Sequence, residues 1–192
     1  MTSSHRKHES RCPLPAAVVM GVAGCGKSTL AASLGHLPGT CLIEGDDYHD
    51  IANIARMRSG LPLSDTDRQG WLERLTQAMQ DALRQGTKPV LACSALKWAY
   101  RQQLRTASPR LGFIYLSLTP EEARRRLAAR RGHFMPPSLI DSQFQDLEPP
   151  DEALEPHTLI LDATLPATVL CEKARQWLGW DGAASGPDSP CT

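Results

Sequence analysis

The sequence has no excess of charge of either sign. Lys and Arg together number 21, as do Asp and Glu, so the formal net charge is zero. A neutral chain has no overall attraction to nucleic acid or to an anionic membrane, and we expect neither as a partner. The sequence also lacks an apolar run of membrane-spanning length, and residues 1–11 lack the apolar segment of a signal peptide. These absences predict a cytoplasmic protein.

The six cysteines do not form a metal-site pattern. There is no CxxC pair and no histidine at zinc-finger spacing, so we expect reduced thiols.

A length of 192 residues suits one domain. Residues 1–15 and 181–192 are rich in Ser, Gly, Pro and charge. We expect both to be disordered tails that flank a domain at 16–180.

Short apolar runs alternate with longer amphipathic segments between the two tails. This alternation is typical of βα units, in which helices cover both faces of a parallel sheet. The sequence therefore predicts an α/β fold of three layers with five parallel strands. The predicted strands are 16–20, 40–44, 89–93, 112–116 and 158–161. The predicted helices are 27–36, 67–85, 98–106, 120–130, 137–145 and 166–178.

A glycine-rich segment with the pattern GxxxxGK[ST] joins the first predicted strand to the first predicted helix. Such a loop binds a nucleoside triphosphate because its backbone N–H groups converge on phosphate oxygens at a helix start. The lysine reaches the terminal phosphates, which gives Lys27 a catalytic role, and the serine hydroxyl can bind Mg²⁺. The predicted nucleotide contacts are Gly21, Val22, Ala23, Gly24, Cys25, Gly26, Lys27, Ser28 and Thr29.

The sequence lacks the second motif that is typical of two common classes of P-loop protein. A GTPase usually carries an NKxD element for guanine after a later strand, and residues 85–94 and 110–117 contain nothing of that form. A motor or AAA-type ATPase has an apolar strand that ends in an acidic pair, whereas the run at 90–92 leads into Cys93 and Ser94. The metal-binding acid must therefore come from elsewhere.

An acidic turn, Glu44-Gly45-Asp46-Asp47, directly follows the second predicted strand. Parallel α/β sheets bind ligands at the carboxyl ends of their strands, so these side chains should lie beside the phosphate loop. A carboxylate there can accept the proton of an attacking hydroxyl or serve a metal ion. We predict that Asp46 is the base and that Glu44 serves the metal with Ser28. An ordinary solvated turn is the alternative.

With these motifs in view, residues 16–178 resemble the P-loop gluconokinases, within the shikimate-kinase and nucleoside-monophosphate-kinase group of folds. Three positions depart from common family residues: Cys25 replaces a frequent Ser, Glu44 a frequent Asp, and Asp50 a frequent Pro. None removes a group that the chemistry needs. The resemblance rests on the segments 20–28, 44–49, 57–72, 93–97, 100–101 and 130–134.

The resemblance implies transfer of the γ-phosphoryl group of ATP to the 6-hydroxyl of D-gluconate, with Mg²⁺ as the metal. A polyhydroxy carboxylate needs a cation for its carboxylate and hydrogen-bonding groups for its hydroxyls. The residues predicted to bind it are Asp46, His49, Arg68, Ser94, Lys97, Arg101 and His133. The alternatives are a surface ion pair for Arg68 and a solvated helix position for Lys97.

An arginine-rich segment runs from Arg124 towards Gly132. Arg126 and Arg130 are four residues apart and so share one helical face. The segment resembles a kinase lid, at about 124–146, that brings both arginines to the phosphates, and we predict a catalytic role for Arg130. The alternative is a basic surface helix that binds nucleic acid, which the neutral charge and the lack of interleaved aromatics disfavour.

Two other functions stay open from the residues alone. Another P-loop kinase, acting on shikimate or on a nucleoside monophosphate, would share most of these motifs. A regulatory nucleotide-binding module without transfer activity is the second, although Lys27, Ser28 and Asp46 are all present. The sequence is compatible with a homodimer but carries no signature of one.

Overall fold

The five strands predicted from the sequence form one sheet in the computed structural model, which describes residues 12–129 and 137–180. The strands are β1 at Ala16–Met20, β2 at Thr40–Glu44, β3 at Lys88–Ala92, β4 at Leu111–Ser117 and β5 at Thr158–Asp162. Their order is β2-β3-β1-β4-β5, and every neighbouring pair is parallel. The predicted fold class is therefore confirmed.

The helices within the described residues include all those predicted and one more. They are α1 at Lys27–Gly35, α2 at Ile51–Arg58, α3 at Asp65–Arg84, α4 at Trp98–Arg105, α5 at Pro120–Ala129, α6 at Pro137–Asp146 and α7 at Ala167–Leu178. The additional helix is α2, a segment of eight residues in which only Asn53 is buried. Its apolar residues Ile51 and Ile54 have helical spacing but add little to the core. It is instead capped by Asp50, whose carboxylate accepts the Asn53 N–H at 2.7 Å.

Helix α3 begins earlier than the sequence pattern indicated. Ser64 caps it, and the Asp67 side chain bonds back to the Ser64 N–H at 2.8 Å, which forms a capping box. The Ser-x-x-Asp spacing was therefore a readable signal for this boundary.

The core lies in two layers, one on each face of the sheet. Because successive strand residues point to opposite faces, Ala17 and Val19 of β1 pack with α1 and α7, whereas Val18 and Met20 pack with α3 and α4. Every residue of β1 is buried. The central strand is thus covered on both faces, which fixes the position of the loop that follows it.

The carboxyl ends of β1, β2 and β3 meet at one edge of the sheet. The Gly21 N–H, just after β1, donates to the Ser94 carbonyl after β3 at 3.2 Å. Gly45, just after β2, approaches β3 so closely that a Cβ there would lie 2.5 Å from the Ala92 carbonyl oxygen. Two glycines therefore allow these three loops to converge.

The expected tails and thiols require two corrections. Leu14, which we placed in a disordered tail, is buried and donates its N–H to the Leu178 carbonyl at 2.9 Å. Cys25, Cys41, Cys93 and Cys171 are free, as expected, but Cys12 is disulfide-bonded. Residues 1–11 and 181–192 lie outside the described residues.

Among the helices that the structure describes, none combines the length and apolar character of a membrane span.

The close approach of Gly45 to β3 predicts that Gly45→Ala destabilises the fold. An added methyl has to displace backbone, and such overpacking costs about 1–3 kcal/mol. Urea denaturation measures the loss. The matched control is Gly70→Ala within α3, where the nearest atom to an added Cβ is the flexible Arg74 Nη1 at 3.5 Å. Helix propensity makes that variant neutral or more stable by up to about 1 kcal/mol. Equal stability of the two variants would contradict the account.

Candidate active site

The phosphate loop lies between β1 and α1, as the sequence predicted. Gly26 precedes α1 with φ at 101°, and no side chain caps the helix, so its first backbone N–H groups face outward. Gly21 has φ at 140°, and a Cβ there would lie 2.8 Å from the Leu116 carbonyl oxygen. The Lys27 ammonium donates to the Val22 carbonyl at 3.0 Å. The loop therefore has the shape and the donors of an anion site.

The two predicted metal ligands are brought together. The Ser28 hydroxyl donates to Glu44 Oε1 at 3.1 Å, although the residues are 16 positions apart. Partial burial raises the pKa of Glu44, and the neighbouring Asp46 carboxylate raises it further. Within the described ranges there is no cluster of three or more His, Cys, Asp or Glu side chains that could hold a metal by itself. The two oxygens therefore suit an ion that completes its shell from water and phosphate, as Mg²⁺ does.

Asp46 lies on a 3₁₀ turn, Gly45–Tyr48, that directly follows β2. Trp71 of α3 contacts this turn: its indole N–H donates to the buried Gly45 carbonyl at 2.7 Å. The Trp71 ring also stacks on His49, with centroids 4.4 Å apart and planes within 11°. The Asp46 side chain is exposed. A rigid turn thus presents a free carboxylate at the sheet edge.

His49 and Arg68 each present a buried nitrogen to the site. His49 Nδ1 and Arg68 Nε are buried and have no hydrogen-bond partner among the described residues. Burial lowers the pKa of His49, so its ring is neutral at pH 7 and can donate one hydrogen bond and accept another. Buried polar atoms are normally paired, so these two nitrogens are candidates for contact with a polar ligand. Arg105 Nε is a third such atom among the described residues.

Lys97 and Arg68 form a cation pair near the Tyr100 ring. Each charge lies 5.8 Å from the Tyr100 ring centroid. Lys97 Nζ lies 2.6 Å from Asp65 and 3.5 Å from Asp146, and Arg68 lies 4.0 Å from Asp146. The Tyr100 hydroxyl donates to Asp65. Sequence reasoning did not select Tyr100, Asp65 and Asp146 as site residues, because polar residues on separate helices have no common spacing.

Ser94 and Lys97 bracket the loop after β3, and Arg101 supports that loop from within. The Arg101 guanidinium donates to the Ala95 and Leu96 carbonyls at 3.2 and 3.0 Å. It also donates to both carboxylate oxygens of Glu155, at 2.7 and 2.6 Å. The Arg101 and Glu155 side chains are 1% and 4% exposed. The donors of Arg101 are thus used within the protein, where they shape the loop, and its contact with substrate stays a prediction.

Arg126 lines a cavity of about 200 Å³ beside the phosphate loop. Its guanidinium donates to Glu122 at 2.7 Å and to the Ala163 carbonyl at 2.9 Å. Thr29 and Leu170 also border this cavity. A larger cavity, about 850 Å³, lies beside Leu14 and shares no residue with the phosphate loop. Arg130 and His133 lie outside the described residues.

One contact at the phosphate loop comes from a residue that the sequence did not mark. The Ala23 N–H donates to the side-chain oxygen of Gln143, on α6, at 2.6 Å. Helix α6 therefore reaches the loop with a polar side chain. No motif could have indicated this contact, because the two residues are 120 positions apart.

The fold and this site define a class of protein. A phosphate loop after the central strand of a parallel sheet, with an acidic turn after a neighbouring strand, is the arrangement of a P-loop kinase. A family model described as an AAA domain matches residues 17–150, and the chain belongs to that P-loop family. Strand β3 nevertheless continues into Cys93 and Ser94, without the acidic pair of a motor ATPase.

Similar proteins identify the particular family. The thermosensitive gluconokinase of Escherichia coli (strain K12) is 38% identical over 159 residues, covering 83% of this chain and 84% of the relative. The gluconokinase of Gluconobacter oxydans (strain 621H) is 40% identical over 164 residues, covering 85% and 92%. The crystal structure of a gluconokinase from Sinorhizobium meliloti 1021 matches with a TM-score of 0.78 and 35% identity, covering 88% and 94%. The chain belongs to the gluconokinase family.

The buried Arg101–Glu155 pair predicts that Arg101→Met destabilises the protein. The change leaves a buried carboxylate with only the weaker Arg105 contact, at 3.6 Å. Removing one partner of a buried pair costs about 3–5 kcal/mol. Adding Glu155→Gln should restore about half of the loss, because no buried charge is then left without its partner. Urea denaturation measures the free energy of unfolding of the single and the double variant. Arg84→Met, at an exposed position, is the control.

A direct substrate role for Arg101 would give a different result. Arg101→Met would then retain the stability of the unmodified protein and raise only the KM for the phosphoryl acceptor.

Proposed function

We propose that the chain is a gluconokinase, which transfers the γ-phosphoryl group of ATP to the 6-hydroxyl of D-gluconate and releases 6-phospho-D-gluconate and ADP. The observation that carries the proposal is the pair of cations, Arg68 and Lys97, around Asp146. Lys97 lies at the end of the loop after β3, which the Gly21 N–H ties to the phosphate loop through the Ser94 carbonyl. Asp46 lies just after β2, at the same edge of the sheet. The names of the similar proteins support this acceptor.

The nucleotide occupies the phosphate loop and the cavity beside Arg126. Backbone N–H groups at the start of α1 hold the phosphates, and the Lys27 ammonium exchanges the Val22 carbonyl for phosphate oxygens. The base fits the cavity bordered by Thr29 and Leu170. Arg126 then contacts the nucleotide from the base side, whereas the predicted phosphate contact of Arg130 lies outside the described residues.

The residues fit a magnesium ion beside the phosphates. Ser28 and Glu44 supply hard oxygen donors 3.1 Å apart, and Mg²⁺ commonly binds through one or two protein oxygens together with phosphate oxygens and water. When bound, the ion offsets negative charge on the transferring group. Because the pKa of Glu44 is raised, ionisation of this carboxylate and binding of the cation favour each other.

Gluconate binds with its carboxylate towards the cation pair and its 6-hydroxyl towards the acidic turn. Arg68 Nε and His49 Nδ1 gain the partners that they lack within the protein. Asp46 accepts the proton of the 6-hydroxyl while the 6-hydroxyl oxygen forms a bond to the γ-phosphorus. The bond between this phosphorus and the ADP oxygen breaks at the same time. Ser94, and His133 from outside the described residues, are further proposed contacts. We also propose a cytoplasmic location, and a homodimer stays an untested prediction.

A panel of phosphoryl acceptors tests the function. ADP release is measured with D-gluconate, shikimate and nucleoside monophosphates, each with Mg-ATP. We expect gluconate to give a kcat/KM at least about 100-fold above the others, because each missing partner of a buried polar group costs specificity. A silent protein that binds ATP would support a regulatory module, and a preference for another acceptor would overturn the assignment of gluconate.

Asp46→Asn separates nucleotide binding from phosphoryl transfer. The amide keeps the shape of the side chain but cannot accept the hydroxyl proton, so we expect kcat to fall by about 100-fold or more. The affinity for ADP, measured by calorimetry, should change by less than about threefold, which corresponds to less than about 0.7 kcal/mol, because the changed side chain faces the acceptor and not the nucleotide. Asp47→Asn on the same turn is the matched control and should retain most activity. Equal losses for both variants would remove Asp46 from its assigned role.

A further inference from the structure

Helix α6 crosses the candidate site from the phosphate loop to the cation pair. Gln143 contacts the loop through the Ala23 N–H. Asp146 lies one turn further along and contacts Arg68 at 4.0 Å and Lys97 at 3.5 Å. Residues three apart on a helix share a face, so both side chains line the same surface. One face of α6 therefore contacts both the phosphate loop, through Gln143, and the cation pair, through Asp146.

The Ala23 N–H belongs to the set of backbone donors from which a phosphate loop is built. These donors bind phosphate oxygens because they converge on one point and carry partial positive charge. The side-chain oxygen of Gln143 lies 2.6 Å from the Ala23 nitrogen, a short distance for a neutral acceptor. The carboxamide is thus held against the part of the loop that receives phosphate.

The other half of the carboxamide is available as a donor. A glutamine side chain carries one acceptor oxygen and an NH₂ group with two donors. With its oxygen on Ala23, Gln143 has its NH₂ group beside the loop, and this nitrogen makes no hydrogen bond to another described residue. A donor at that point suits the oxygens of a phosphoryl group that passes from the loop towards Asp46.

We propose that Gln143 is a further residue of the phosphoryl transfer. Its carboxamide oxygen fixes the Ala23 amide, and its carboxamide nitrogen donates a hydrogen bond to an oxygen of the transferring phosphoryl group. The residue stays neutral throughout: the proton of the acceptor hydroxyl goes to Asp46, and ADP leaves with the electron pair of the broken bond. The assignment rests on the proposed kinase function, and applies to whichever acceptor the chain phosphorylates.

The competing explanation is that Gln143 only ties α6 to the loop, and Gln143→Glu distinguishes the two. Glutamate keeps an oxygen for the Ala23 N–H, so a structural tie survives. It replaces the NH₂ donors with a negative charge, which opposes a phosphoryl oxygen. Gln145 is exposed on the same helix and has the same side chain, so Gln145→Glu is the matched control.

We expect Gln143→Glu to lower kcat by about 100-fold or more, the usual cost of losing a donor to transition-state charge. Gln143→Ala should lower kcat by about 10-fold to 100-fold, because it adds no opposing charge. The ADP affinity of both variants should stay within about threefold of the unmodified protein, since ADP lacks the phosphoryl group that Gln143 contacts. Gln145→Glu should keep kcat within about twofold, as expected for an exposed surface change.

Two results would overturn the proposal. If Gln143→Glu retains full kcat, the residue is only a structural tie. If ADP affinity and melting temperature fall in proportion to kcat, the variants have distorted the loop and no contact with the phosphoryl group is needed. The acceptor that the unmodified protein uses best serves in all assays, so a wrong assignment of gluconate is recognised separately from a wrong role for Gln143.

Discussion

The carboxyl edge of the parallel sheet is the constraint on which the whole site depends. Strand β1 lies between β3 and β4, and all of its residues are buried, so the loop that follows has a fixed origin. The Gly21 N–H bonds to the Ser94 carbonyl and ties this loop to the one after β3. Gly45 lets the acidic turn approach the same point. Three separate segments thereby become one site, because parallel strands end at the same side.

Charge within the site is balanced before any anion binds. Lys97 and Arg68 face Asp65 and Asp146, so neither cation lacks an acidic neighbour. This balance agrees with the neutral composition of the chain, because each cation proposed to bind the acceptor is matched by a nearby acid. An incoming carboxylate must compete with these acids, and recognition then depends on hydrogen-bond geometry at groups such as Arg68 Nε.

Structural features that depend on residues close together in the sequence could be predicted. Contacts between residues far apart in the sequence could not. The strands, the phosphate loop and the acidic turn each depend on a local pattern. The internal contacts of Arg101 could not be predicted, because its partner, Glu155, is 54 positions away and no spacing links them. Helix α2 is an exception, because its cap at Asp50 and its apolar spacing are local signals; it was missed because it is only eight residues long.

The central claim is that the cation pair recognises the carboxylate of a sugar acid. The most direct measurement compares kcat/KM for D-gluconate with kcat/KM for D-glucitol, which has the same chain of hydroxyls but no carboxylate. We expect a preference for gluconate of at least about 100-fold, because glucitol loses a charge-assisted contact at a buried site. Equal kcat/KM values for the two acceptors would contradict it.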